Sequence, residues 1–181
     1  MVISAYIATS LDGFIARKNG ALDWLPGSDG NMGGEDYGYH DFMDSIDVMV
    51  MGRNTFEQVL SFGQWPYGKK RVVVLSKHRV LIPDELAKTV QLRSGEPVEI
   101  MRDLEESGTK HIYVDGGKTI QRFLHAGLID EITITRVPVL IGSGIPLFGD
   151  IPKDIELTHL NSTAYGNGFV QSKYAISRKL F

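Results

Sequence analysis

Three places in the sequence join a short apolar run to glycine or a small polar turn. They are Met51-Gly52-Arg53, Leu75-Ser76-Lys77 and Val114-Asp115-Gly116-Gly117. Glycine lets backbone N–H groups approach an anion closely, and a helix starting there adds the positive end of its dipole. Arg53 and Lys77 would add full charges. Residues 69–79 hold Lys69, Lys70, Arg71, Lys77 and Arg79, plus His78, and no acid. Most charge runs are solvated faces, but a compact basic run beside a strand end also suits phosphate. If the three strands are neighbours, their ends form one anion-binding rim, the pattern of a nucleotide site. Residues 19–52 have the opposite sign, with seven acids (Asp23, Asp29, Glu35, Asp36, Asp41, Asp44, Asp47) and no lysine or arginine.

Other chemistries lack their residues. Gly142-Ser143-Gly144 starts a dinucleotide fingerprint, but Leu147 stands where the third glycine belongs. Gly117-Lys118-Thr119 imitates the end of a phosphate loop whose first glycine would fall at Ile112. The five histidines show no close pair at ligand spacing, so no metal site is expected, and there is no GxSxG elbow. Without cysteine there is no disulfide framework, thiolate zinc site or iron–sulfur cluster. A net charge of −3 argues against nucleic acid. No apolar run approaches the roughly 18 residues of a membrane span, and the start meets Asp12 too soon for a signal peptide. The expectation is a cytoplasmic protein that touches no membrane.

The elements that must position the rim are legible in outline. With 181 residues, 43% of them hydrophobic, the chain is long enough for one domain over residues 1–181 with a full core. Strands are predicted at Val2–Ala8, Asp47–Met51, Arg71–Leu75, Thr89–Leu92, Lys110–Val114 and Asp130–Val137. An antiparallel pair, Ile155–Asn161 and Gly168–Ile176, closes the chain. Tyr39, Phe42, Met43 and Ile46 at i, i+3, i+4, i+7 predict a helix. A second opens near Arg53, with Thr55 and Gln58 at capping-box spacing. Pro97–Ser107 and Gly117–Ala126 are two more, each followed by glycine. Between the first strand and the first helix a long loop runs from Thr9 to Gly34. It holds much of a glycine surplus that totals 20 residues. Strands alternating with helices, followed by a β-rich tail, predict a mostly parallel α/β sheet with an antiparallel C-terminal edge.

Several segments together resemble the dihydrofolate reductase-like superfamily, and more closely the reductase domain of the bacterial bifunctional riboflavin-biosynthesis deaminase-reductase in stand-alone form. They are Ser10-Leu11-Asp12-Gly13, residues 51–57 (MGRNTFE), Leu75-Ser76-Lys77, Val114-Asp115-Gly116-Gly117, residues 123–131 (FLHAGLIDE) and residues 138–148 (PVLIGSGIPLF). The resemblance implies a three-layer α/β/α fold and an NADPH-dependent reductase of a pteridine- or pyrimidine-type heterocycle. It also makes a homodimer through the C-terminal strands plausible. The deaminase domain is absent, and two signatures of the bifunctional enzyme's reductase half are replaced by residues 20–25 and 62–66. The same rim could instead serve a non-catalytic NADP-binding sensor or interaction module. A retained acid in the pocket would favour the enzyme.

By resemblance, Gly52, Arg53, Asn54 and Thr55 hold cofactor phosphate at a helix start, with Arg53 on the 2′-phosphate. Leu75, Ser76 and Lys77 flank the adenosine ribose. Val114, Gly116, Gly117, Lys118 and Thr119 place the pyrophosphate, and Ala8, Ile15 and Ala16 border the nicotinamide. The Thr9–Gly34 loop corresponds to a mobile lid. The family's substrate carboxylate lies sixteen residues before the glycine of the phosphate motif, which is Asp36 here. Asp12 is a second catalytic candidate, with a turn role before Gly13 as its alternative.

Overall fold

The structure is a computed structural model and describes residues 1–27 and 34–177. Ten strands and four helices follow in the order β1 (Val2–Ser10), β2 (Phe14–Ala16), α1 (Tyr39–Ser45), β3 (Val48–Gly52), α2 (Arg53–Leu60), β4 (Arg71–Leu75), β5 (Val90–Arg93), α3 (Pro97–Glu106), β6 (His111–Asp115), α4 (Gly117–His125), β7 (Glu131–Val137), β8 (Ile145–Pro146), β9 (Leu157–Ala164) and β10 (Val170–Ile176). One eight-stranded sheet has the order β5-β4-β3-β6-β1-β7-β10-β9. Its first six strands are parallel, and β10 lies antiparallel between β7 and β9. This is the expected α/β architecture with an antiparallel C-terminal edge.

The continuous apolar runs of β3, β4 and β6 make sense in the middle of this sheet, where both faces are covered. On one face Ile3, Val50, Ile112 and Val114 pack with α3 and α4. On the other, Met49, Met51, Val72, Val74 and Tyr113 pack with α1 and α2. Phe123 of α4 and Phe56 of α2 are fully buried. Each contributes roughly 2 kcal/mol by leaving water, which fixes both helices at the sheet.

Three expectations need correction. The segment after β1 is not one open loop. It contains β2, which pairs with β8, and Leu147 N–H donates to Gly13 O at 3.0 Å. Trp24 is buried against Val137 and Phe169, and Arg17 binds Asp23 through two nitrogens at 2.7 and 2.8 Å. Of the Thr9–Gly34 segment expected as a lid, β2 and Trp24 are packed against the later part of the chain; residues 28–33, with Gly30 and Gly33, lie outside the described residues. Second, α2 starts two residues before Thr55, with Gly52 at its N-cap and no side-chain cap. The capping box belongs to α3, between Glu96 and Glu99. Third, the short β8 and a 3₁₀ turn at Asp84–Leu86 were too brief for periodicity to reveal.

Candidate functional site

β4, β3 and β6 are neighbours, so Leu75, Gly52 and Asp115 end side by side. The α2 and α4 helices start directly from two of these ends, at Arg53 and Gly117. Neither has a side-chain cap or an acid in its first turn. Apart from Gly116 N–H, which donates to Asp115 Oδ1 at 2.8 Å, no side chain caps these helix starts, and both dipoles point their positive ends at the rim.

Space is tight at the rim glycines, most severely at Gly116. A Cβ on Gly52 would stand 2.9 Å from Thr119 Oγ1, and one on Gly117 would stand 2.7 Å from Ile15 Cδ1. A Cβ on Gly116 would collide with Thr55 Oγ1, and its φ of 90° is itself costly for any other residue. Thr55 and Thr119 thus interlock the two helix starts, and Ile15 closes on Gly117 from β2. Around this cradle Arg53 is 42% exposed and reaches Glu57 only at 3.9 Å, a contact too weak to hold it. Asn54, Lys77 and Lys118 are exposed. Ser76 closes its own turn with His78, and the side chains of Leu75 and Val114 belong to the core. Ala16 is buried, and Ala8 is half-buried at the open part of β1. Elsewhere in the basic run, Lys70 donates to Met43 O and Ile46 O and closes the end of α1.

One rim residue was quoted in the sequence only as part of a turn. Asp115 keeps some surface open to the cleft, yet its carboxyl is closed in by protein. Burial raises it to about 6, against the lowering effect of the Gly116 N–H and the Tyr113 phenol. Burial and the Asp115 charge together push Tyr39 and Tyr67 above the ordinary phenol range. An acid flanked by tyrosines at a strand end beside an anion cradle can hold a proton near neutrality. The signal was available: a lone acid that ends an apolar, double-covered strand must be desolvated.

The two carboxylates singled out from the sequence are both engaged by donors of this chain. Asp36 accepts the N–H groups of Gly38 and His40, each at 3.0 Å, and His40 Nδ1 at 2.6 Å. These bonds hold it at about 2 and fasten the start of α1. Asp12 accepts Ser10 Oγ at 2.6 Å and Gly142 N–H at 2.7 Å, tying the turn after β1 to residues 141–142. Hydrogen bonds, that from Ser10 foremost, lower its carboxyl as well. A carboxyl held low is a poor proton donor at neutral pH.

Comparison with known proteins identifies the family. The family model of the RibD C-terminal domain matches residues 1–171. The chain belongs to the RibD C-terminal domain family. The YwjB protein of Bacillus subtilis (strain 168) is 33% identical over 170 residues, 93% of this chain and 94% of that protein. A Shewanella sp. PV-4 structure assigned to riboflavin biosynthesis superposes with a TM-score of 0.91 at 43% identity, covering 98% of this chain and 100% of that one. A dihydrofolate reductase from Enterococcus faecalis, solved with NADP(H), has a TM-score of 0.66 at 16% identity over 97% and 96% of the two chains. That likeness places the fold among those of dihydrofolate reductases. Among the described residues no helix is long and apolar enough to cross a membrane.

Proposed function

We propose that this RibD C-terminal domain protein is an NADPH-dependent reductase of a small pteridine- or pyrimidine-type heterocycle. It acts in the cytoplasm as a homodimer. The observation that carries the reading is the glycine cradle built from two helix starts, with the buried acid Asp115 at its edge. A cradle that a Cβ would fill fits the pyrophosphate of a dinucleotide. NADPH, when bound, supplies a hydride to an acceptor carbon of the substrate. The N–H groups at the starts of α2 and α4 would hold its phosphates, and Arg53 with Lys77 would take the 2′-phosphate. Ala8, Ile15 and Ala16 would wall the nicotinamide and exclude water. Asp115 holds the proton that a reduced heterocycle nitrogen needs, near the operating pH. That retained acid favours an enzyme over a non-catalytic NADP-binding sensor.

NADPH absorbance is followed with 5-amino-6-(5-phosphoribosylamino)uracil and with dihydrofolate. Oxidation with one of them is expected; NADPH binding without oxidation by either overturns the reductase. Arg53→Ala should weaken NADPH about tenfold, as loss of a charge-assisted contact does, and leave NADH nearly unchanged. Equal losses for both would remove Arg53 from the 2′-phosphate.

A further inference from the structure

Among the described residues Tyr37 is the one non-glycine residue with positive φ, at 57°. A tyrosine persists in this left-handed conformation only when its surroundings over-determine it, and such residues concentrate at functional sites. The fastenings are unusually complete. Tyr37 N–H donates to Glu35 Oε1 at 2.9 Å. Tyr37 O accepts the Tyr6 hydroxyl and, at 3.0 Å, Gln171 Nε2. Its own hydroxyl accepts Asn167 Nδ2 at 2.7 Å. Its ring stacks on Phe169 and meets the edge of Tyr165.

Most of these partners come from β10 and the turn before it, and β10 reaches the open part of the sheet. Ala8, Thr135 and Gln171 stand in register across β1, β7 and β10. Gln171 Nε2 also donates to Thr135 Oγ1 at 3.0 Å and Tyr6 Oη at 2.8 Å. One amide therefore joins the tail strand, the strand that carries Ala8 and the corner before α1.

We infer that Gln171 and Tyr37 are specificity-determining positioning residues of the proposed reductase. They hold the Tyr37–Gly38 corner beside the Ala8–Thr135 row, where it walls the site of the flat heterocycle. This rests on the proposed function, because it takes the nicotinamide to lie at Ala8. The strain at Tyr37 keeps the corner where the substrate ring needs a rigid edge. A glycine there would adopt the same backbone without a wall.

The test is calorimetric binding of 5-amino-6-(5-phosphoribosylamino)uracil to the full chain in the presence of NADP⁺, alongside NADPH titration and turnover. Gln171→Met keeps the volume and removes the donors. It should weaken the pyrimidine about tenfold, the scale of leaving buried acceptors unpaired, with NADPH affinity within about twofold of the wild type. Tyr37→Gly should do the same while removing the backbone strain. Tyr37→Phe, which loses only the Asn167 bond, should fold and show a smaller loss. A purely structural role would instead lower the melting temperature and weaken both ligands together. Wild-type pyrimidine affinity in both Gln171→Met and Tyr37→Gly overturns the inference whatever the turnover. A wild type that binds the pyrimidine but oxidises NADPH with neither it nor dihydrofolate defeats the reductase, and the same titrations still decide the positioning role. A wild type that binds no pyrimidine overturns the inference, and the reductase falls with it only if dihydrofolate is not reduced either.

Discussion

Three carboxylates near the sheet's C-terminal ends have three different fates, and hydrogen bonding separates them. Asp36 and Asp12 accept donors that stabilise their charged forms, whereas Asp115 is set mainly by the loss of water around it. An acid whose folded value is raised opposes folding once it must ionise. Its destabilising effect is absent below about pH 4, where both states hold the proton, and grows as pH rises through about 6. Asp115→Asn removes that term. Stability above pH 7 should rise by up to about 3 kcal/mol, the free-energy equivalent of two pKa units. Chemical denaturation at pH 4 and pH 7.5 reads this, with the gain confined to the higher pH. The same variant should lose at least about a hundredfold in turnover, the scale of general acid catalysis. Gain of stability with loss of turnover is what a functional buried acid requires; unchanged turnover would reduce Asp115 to a misfit of the fold.

At the scale of elements, the rim exists because two strands stop at glycine and two helices begin at once. Gly116→Ala tests that arrangement. The methyl group must displace Thr55, and a backbone at φ 90° and ψ 136°, sparsely populated by residues other than glycine, adds about 1–3 kcal/mol of its own. The expected outcome is a lower melting temperature together with loss of NADPH binding, read by thermal unfolding with and without NADPH. A variant that keeps the ligand-induced rise in melting temperature would show that the cradle is not the phosphate site. Most of this architecture was legible in the sequence. Apolar runs ending at Gly52 and Asp115 mark buried strands, and Pro97 and Gly108 bracket a helix. What was not legible depends on contacts between distant residues. β2 exists because Gly144, where a Cβ would collide with Ala16 O, lets the 141–147 segment lie against it. Asp12 is a turn acid through Ser10, but a second partner, Gly142, lies 130 residues away. Asp36 stood at the counted position, but the two N–H groups that consume it follow from the local path of the chain. Asp115 was in plain sight, but its burial beside Tyr39 and Tyr67, which come from two other segments, was not.

At the scale of the whole molecule, the sheet is asymmetric. Its β5-to-β1 half is covered by helices on both faces, while β10 and β9 extend beyond them. All eight residues of β9 are exposed, including Leu157 and Leu160. The strand carries no Lys, Arg, Asp, Glu or Pro, the devices with which single chains guard a sheet edge. An unguarded edge of this length is suited to a second copy of the chain, and β9 against β9 would give a closed two-fold pair. Such a contact would also steady β10, whose Gln171 holds the corner before α1. Light scattering should therefore give twice the 20.1 kDa chain mass. Leu160→Lys, which places a charge on the free edge, should halve it. Because Leu160 lies well away from the rim, NADPH affinity should stay within about twofold, while affinity for the pyrimidine falls with the loss of support behind β10. A wild-type monomer would overturn the dimer, and a monomeric variant with unchanged pyrimidine affinity would separate assembly from the site.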